Sequence, residues 1–548
     1  MEETPVASSL SILKTCLDLN SSCMHVKSVE SCIVHFQRYK EPVEKIAIKV
    51  HARPIKRVAK RCPICKKRCP GYDTKRDVPS MWRAPNLNGV PVFICYTPRR
   101  IECPEHGVKT EYIPWADGES RFTPAFNNEV AWMVCQMSKS AVAMFEEINW
   151  RTVGNCIEAA HRRLEPDITI RLRGLKRICV DETSYSKGHL YITVVYDMDR
   201  NRVVWVHEGN SAEVFSLFCQ ELSEQERREI EIVAGDGARW IDSCVKEYFP
   251  NAIRCIDSFH VVEWANTALD DVRRATSNHA KHEFELQQEA FRKAENEASK
   301  ALQDAEVELA SMPNIGRPSK RKLELLSLIE ELRSMLDEAY QQPKKKGRPR
   351  KERFSDEHQQ FLDQLRNKYR EIKSTRYALG HSPENCTKNQ VAKIRLIENS
   401  YPELYRAYQL KEGLRIILHM TDPKQAAIEL DQWINDAAES AITPMVELSE
   451  KITRHRSNIL NSIQCQVSSA KSEAVNSTIK VLIKLAHGFK NLSNMFALIY
   501  LKCSDIVIPL FNRCQMTPEQ ASTFRKAAND RRRQRQELRK AERMSIWS

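Results

Sequence analysis

The spacing of apolar residues changes period several times along the chain, and each change predicts a different kind of element. Up to about Lys60, apolar positions alternate or cluster briefly, as in Ile33-Val34-His35-Phe36 and Ile46-Ala47-Ile48-Lys49-Val50, which predicts strands. Val90-Pro91-Val92-Phe93-Ile94-Cys95 is a further strand-like run. From Phe126 the period turns helical: Phe126–Met137, Ser140–Glu147 and Thr152–Leu164 read as three helices, the last two joined by the tight link Ile148-Asn149-Trp150-Arg151. Strands return at Ile178–Val180, Leu190–Tyr196 and Arg202–Val206, with hairpin chemistry in Ser184–His189 and Asp197–Asn201. Helix and strand then alternate: a helix near Ala212–Leu222, a strand ending at Asp236, a helix near Arg239–Tyr248, the strand Ala252–Ile256, and a helix opening at Phe259. A long polar helical region follows, with helices predicted at His282–Met312, Leu323–Ala339, Phe361–Tyr377, Asn389–Tyr401, Leu404–His419 and Pro423–Ala438. A last helical stretch carries Glu473 and runs to about Ala486.

Three antiparallel strands followed by strand–helix alternation is the order of a ribonuclease H-like sheet, which puts Asp181 on its central strand and Asp236 at the end of the neighbouring fourth strand. Both acids then face one crevice at the carboxyl ends of strands, where open α/β sheets bind ligands. The fold class expected is multidomain α/β plus α: a ribonuclease H-like core split by a large helical insertion, preceded by a zinc ribbon and a helix-turn-helix. The boundaries expected are 1–115 for strands and ribbon, 116–170 for the helix-turn-helix, 171–278 and 444–502 for the two parts of the core, 279–443 for the insertion and 503–548 for a basic tail. Two strand-end carboxylates and a helical one, Asp181, Asp236 and Glu473, can converge on two Mg²⁺ or Mn²⁺ ions, which suit hard oxygen ligands. Asp257 also ends a strand and is the rival for the second position. His260, opening the next helix, is placed to meet a phosphate or orient a carboxylate.

Charge and cysteine content add to this picture. The formal net charge is +13, concentrated in Lys344-Lys345-Lys346 with Arg348, Arg350 and Lys351, and in Arg531-Arg532-Arg533, Arg535, Arg539, Lys540 and Arg543. Such clusters bind polyanions by releasing counterions. Arg317 and Arg348 each sit in a Gly-Arg-Pro core, whose extended Arg suits a narrow minor groove, although a basic linker reads the same way. On the helix-turn-helix reading, Arg151, Thr152 and Asn155 stand at the N-terminal end of the helix that enters the major groove. Cys62-Pro63-Ile64-Cys65 and Cys103-Pro104-Glu105-His106 have the spacing of two knuckles around one structural Zn²⁺, with Cys69 and Cys95 as alternative ligands. No apolar run approaches the ~18–20 residues of a membrane span, and the start lacks a signal peptide's pattern, so a cytoplasmic, DNA-associated location is expected, without membrane contact.

As an ordered set, several segments resemble the bacterial insertion-sequence transposases of the ISL-three family. They are Val180-Asp181-Glu182-Thr183-Ser184 with Lys187-Gly188-His189, Asp257-Ser258-Phe259-His260-Val261-Val262, Glu473-Ala474-Val475-Asn476-Ser477-Thr478-Ile479-Lys480, and Ala486-His487-Gly488-Phe489-Lys490-Asn491. The resemblance spans about Leu10 to Leu501. It implies a metal-dependent transposase with a DDE triad at Asp181, Asp236 and Glu473, binding double-stranded DNA at terminal inverted repeats and in the target; a homodimer is expected because two ends must be joined. The sequence departs from the family at Ser468-Ser469, where Ser-Asn is usual, at His487, where an aromatic is usual, and at His106, where Cys is commoner. The alternative reading is a catalytically inactive transposase-derived regulator that keeps only DNA binding.

Overall fold

The computed structural model describes residues 23–38, 41–73, 79–118, 120–186, 188–312, 319–340, 356–467, 470–486, 488–510, 530–539 and 541. The protein is mixed α/β with a large helical share, and its contacts divide it into two units. One comprises Met1–Asp257 and Val467–Phe524; the other comprises Ser258–Gln466 and Arg525–Ser548. The division thus falls at 257/258, 466/467 and 524/525. Arg317, Lys344, Lys345, Lys346 and Arg348, proposed to meet DNA, lie outside the described residues.

The first unit begins with a sheet of β1 (Met24–Arg38), β2 (Glu41–Pro54), β3 (Ser80–Leu87) and β4 (Val90–Tyr96), in the order β1-β2-β4-β3. Val50, Trp82, Val92 and Ile94 pack in its core with Trp115. A small antiparallel hairpin follows, β5 (Arg100–Cys103) and β6 (Gly107–Thr110). Gly107, with φ +67°, supplies the left-handed turn residue that lets the two strands reverse at the second knuckle.

Three helices come next: α1 (Pro124–Val134), α2 (Lys139–Glu146) and α3 (Trp150–Leu164). Their starts are written in the sequence by Thr123, Ser138 and Asn149, whose side chains accept from the backbone N–H of Phe126, Ala141 and Arg151. Glu147 stops α2 in the left-handed conformation, and the two residues Ile148 and Asn149 complete the link to α3.

The second sheet has the order β11-β10-β7-β8-β9. Its strands are β7 (Arg177–Ser186), β8 (Leu190–Asp197), β9 (Arg202–Glu208), β10 (Ile232–Gly235) and β11 (Ile253–Ile256). The hairpin strands β7, β8 and β9 are antiparallel, and β7, β10 and β11 are parallel. Parallel strands are covered on both faces, so they read as unbroken apolar runs such as Ile178-Cys179-Val180, all buried. The helices α4 (Ala212–Glu221), α5 (Glu224–Glu229) and α6 (Arg239–Tyr248) are the crossovers, and Phe215, Phe218, Ile241 and Val245 pack against Ile178, Val180 and Val233.

The second unit opens with α7 (Ser258–Ala310), a 53-residue helix about 80 Å long at the usual rise. The sequence reading divided this stretch into a helix from Phe259 and another from His282, and that is corrected: the stretch holds no Pro or Gly, so nothing interrupts the helix. α8 (Lys320–Tyr340) turns back along it, with Arg321 held by Glu308 and Arg333 by Glu306. α9 (Asp356–Ser374) packs Leu362 and Leu365 on Phe284. α10 (Arg376–Gly380), α11 (Lys388–Ser400), α12 (Pro402–Ile417), α13 (Pro423–Ala438) and α14 (Thr443–Gln464) complete this unit's major helices. His260 Nδ1 lies 3.5 Å from Glu263 Oε2 on its own helix.

The chain then contributes α15 (Ala470–Leu485) and α16 (Leu492–Cys503) to the first unit. α15 runs against β7, while α16 lies against β9 and α3. Among the described residues no helix is long and apolar enough to cross a membrane.

Candidate active site

Asp181 and Asp236 leave neighbouring parallel strands at the same level. Val180 pairs with Gly235 in the register of β7 and β10, so the next residue of each strand is an aspartate. β10 ends there while β7 runs on to Ser186 beside β8 alone, so Asp181 and Asp236 stand side by side where the parallel pairing stops. The strands approach closely because residue 235 is glycine: a Cβ there would stand 2.8 Å from the carbonyl oxygen of Val180.

Each carboxylate is tied to local backbone. Asp181 Oδ1 accepts the N–H of Glu182 at 2.7 Å, and Asp236 Oδ1 accepts that of Ala238 at 3.0 Å. Behind Asp236, the buried Arg254 guanidinium donates to the Asp236 and Cys255 carbonyls and to Asp242 Oδ1. Glu182 is half-buried beside them. Burial pushes its carboxyl up, Asn210 Nδ2 donating at 2.9 Å offsets part of the rise, and the negative fields of Asp236 and Asp181 add to it. Negative charge therefore accumulates at the strand ends, a setting that a divalent cation stabilises.

α15 brings a distant part of the sequence to this sheet. Asn476 Nδ2 donates to Asp181 Oδ2, and Thr183 Oγ1 donates to Asn476 Oδ1 at 3.3 Å. Glu473 lies one helical turn before Asn476, on the same side of the helix, and is exposed. Among the described residues, these three acids do not form a group with ligand atoms all within 4.8 Å of one another. Asp257, the rival, is only 4% exposed and its N–H donates to the Gly235 carbonyl at 2.9 Å. Sequence reasoning passed over Asn476, Thr183 and Arg254. Two of them carried a signal: Thr183 shares a strand face with Asp181 two residues away, and Asn476 shares a helix face with Glu473.

Among the described residues, Cys62, Cys65, Cys103 and His106 bring their four ligand atoms within 4.8 Å of one another. Cys62 Sγ lies 3.7 Å from His106 Nδ1, Cys65 Sγ 3.7 Å from Cys103 Sγ, and Cys103 Sγ 3.5 Å from His106 Nδ1. A tetrahedral zinc with bonds of about 2.0–2.3 Å has edges of about 3.5–3.8 Å, so these residues could hold the ion with little rearrangement. Burial raises the Cys103 thiol, but hydrogen bonds from His106 and the 105 and 106 backbone outweigh it and bring the value down to about 6, favouring thiolate. Cys69 is buried beside the group without joining it, and Cys95 belongs to β4.

On α3, Arg151 and Asn155 are exposed and Thr152 is half-buried. The helix docks on α16 through Glu158 and His161: Asn494 Nδ2 donates to Glu158 Oε1 at 2.5 Å, and His161 stacks on Tyr500 at 5.3 Å. The Arg171 guanidinium lies 3.6 Å over the same Tyr500 ring, and Tyr500 Oη accepts the Val206 N–H at 2.9 Å, which links the helix to β9.

Comparison with known proteins identifies the family. The sequence profile of the ISL-three family, described as transposase, matches residues 178–348 and 350–499. The chain belongs to the ISL-three transposase family. The matched residues include Asp181, Asp236 and Glu473. It is also 33% identical over 448 residues to the transposase for insertion sequence element IS1557 of Mycobacterium tuberculosis, covering 81% of this chain and 86% of that protein, in strains CDC 1551 / Oshkosh and H37Rv alike. A more distant transposase, for insertion sequence element IS1001 of Bordetella parapertussis, is 21% identical over 419 residues, 75% of this chain and 82% of that protein. As an ISL-three transposase, the chain is a protein of DNA transposition, and DNA is its partner.

Proposed function

We propose that this transposase cuts and joins DNA at the terminal inverted repeats of its element through a DDE centre of Asp181, Asp236 and Glu473. The observation that carries the reading is the meeting of two strand-end aspartates with a helix from a distant segment, joined to Asp181 through Asn476. The sheet order β11-β10-β7-β8-β9, with β7 central, supports a ribonuclease H-like core, and the separation of β11 from α15 in sequence supports an insertion between its two parts.

In this reading Asp181, Asp236 and Glu473 hold two Mg²⁺ or Mn²⁺ ions, which supply activation of the attacking oxygen and stabilisation of the leaving one. The chain's own part is positioning. Parallel pairing fixes the two aspartates side by side, Arg254 holds the Asp236 backbone, and α15, packed on β7, carries Glu473. Cys62, Cys65, Cys103 and His106 bind one structural Zn²⁺ that stiffens the β5–β6 hairpin. Arg151, Thr152 and Asn155 read bases in the major groove, on a helix braced by α16. Arg317, Lys344, Lys345, Lys346 and Arg348 make sequence-independent phosphate contacts, as does the exposed Arg531–Arg533 stretch. A homodimer follows from the need to hold two element ends at once.

Strand cleavage of a duplex bearing the element end, with Mg²⁺, tests the assignment. Asp181→Asn, Asp236→Asn and Glu473→Gln should each abolish cleavage while DNA binding persists. Intact cleavage by Asp236→Asn together with loss in Asp257→Asn would transfer the second position to Asp257.

A further inference from the structure

We propose that Asn476 is a positioning residue of the acidic centre: its amide sets the orientation of Asp181 and the register of α15 on β7, and so determines where Glu473 stands. This rests on the reading of Asp181 as a metal ligand.

The hydrogen-bond chemistry fixes a direction. A carboxylate only accepts, so the Asn476 amide must turn its nitrogen to Asp181. Its oxygen then faces Thr183, where only the hydroxyl can donate. Thr183, 1% exposed, is a fixed donor on the same strand face as Asp181, so the relay Thr183 to Asn476 to Asp181 begins and ends on β7 and passes through α15. Asp181 is consequently gripped on both oxygens, by the Glu182 N–H on Oδ1 and by Asn476 on Oδ2.

The same relay locates the helix. The buried apolar residues of α15, Ile479 and Leu482, seal it to the unit, but apolar contact is non-directional and tolerates a slide along the helix axis. The amide does not tolerate such a slide, because it must meet an acceptor and a donor at once. Since Glu473 and Asn476 are one turn apart on one face, fixing Asn476 fixes the origin of the Glu473 side chain. Asn476→Ala keeps both apolar anchors, so it should fold while losing the register.

The test is Mn²⁺ binding to the zinc-saturated full chain, read by electron paramagnetic resonance of free Mn²⁺, with the thermal midpoint measured on the same samples. Asn476→Ala should weaken Mn²⁺ by about 10–100-fold, the usual effect of removing a group that orients a ligand, with little change in melting. Thr183→Val, which is nearly isosteric and lacks the donor, should weaken it in the same direction. Thr183→Ser should restore it. The double variant Asn476→Ala with Thr183→Val should be no weaker than Asn476→Ala, because the two residues act in one chain. Wild-type Mn²⁺ affinity in Asn476→Ala, or fully additive losses in the double variant, overturns the proposal. Asp181→Asn serves as the reference: if it binds Mn²⁺ like the wild type, the metal-ligand reading itself fails, whatever Asn476 does.

Discussion

Gly154→Ala should destabilise this protein, against the usual rule for helices. Ala is favoured over Gly in a helix interior by about 0.8–1 kcal/mol. At position 154 of α3, however, an added Cβ would stand 1.8 Å from Asn494 Oδ1 and 2.8 Å from its Cγ. Asn494 is 5% exposed, and it donates to Glu158 Oε1 at 2.5 Å and accepts from Lys139 Nζ at 3.4 Å. Making room for the methyl group means rotating that amide away from two charged partners. A hydrogen bond to a charged group is worth about 1.5–3 kcal/mol, and the longer bond to Lys139 sits at the bottom of that range or below it. After the gain in helix propensity is subtracted, the net loss is roughly 2–3 kcal/mol. Urea unfolding followed by tryptophan fluorescence reports on this place, because Trp150 opens α3 and Lys139 Nζ lies 3.9 Å over its ring. Adding Asn494→Ala removes the obstacle, so the double variant should lose less than the sum of the two single ones. A Gly154→Ala protein that unfolds at or above the wild-type urea concentration would refute the docking of α3 on α16.

Other outcomes follow from the same structure. Elemental analysis should give one zinc per chain, and Cys65→Ser or chelator should remove it and open the stretch around Arg57–Lys67 to trypsin; a zinc-free chain resistant to trypsin contradicts the site. Glu146 is raised from 4.5 to about 7, by burial first and then by Glu129 and Glu147, against the pull of Arg83 and Asn86. Because the fold favours its protonated form, this contribution is fully present below pH 4.5 and is lost as pH rises to about 7. Glu146→Gln should therefore stabilise the protein at pH 8 by at most about 3 kcal/mol and flatten that part of the pH profile, and an unchanged profile counts against it. Arg151→Ala should cost about 1–3 kcal/mol on the terminal-repeat duplex and far less on a scrambled one; equal losses would remove it from base recognition.

What was legible in the sequence was whatever depends on near neighbours. The knuckles are four-residue patterns, and the three helices of residues 124–164 announce themselves by Thr123, Ser138 and Asn149. The buried parallel strands appear as apolar runs ending in acids, because both faces of a central strand are covered. What was not legible depends on residues far apart. Asn476 and Thr183 are 293 positions apart, and single-chain periodicity cannot pair them. The unbroken α7 was missed for a different reason: its buried apolar stripe, with Val261, Ala265, Leu269, Val272 and Phe284, gives way to polar sequence in the second half, although the lack of Pro and Gly between Ser258 and Ala310 was there to be read.

The most direct measurement of the central claim is anomalous scattering from Mn²⁺ in crystals of the zinc-loaded protein bound to an element-end duplex. Two Mn²⁺ peaks about 3.5–4 Å apart, contacted by Asp181, Asp236 and Glu473, are expected. Peaks at Asp257 without Asp236, or Glu473 turned away from both ions, would contradict it.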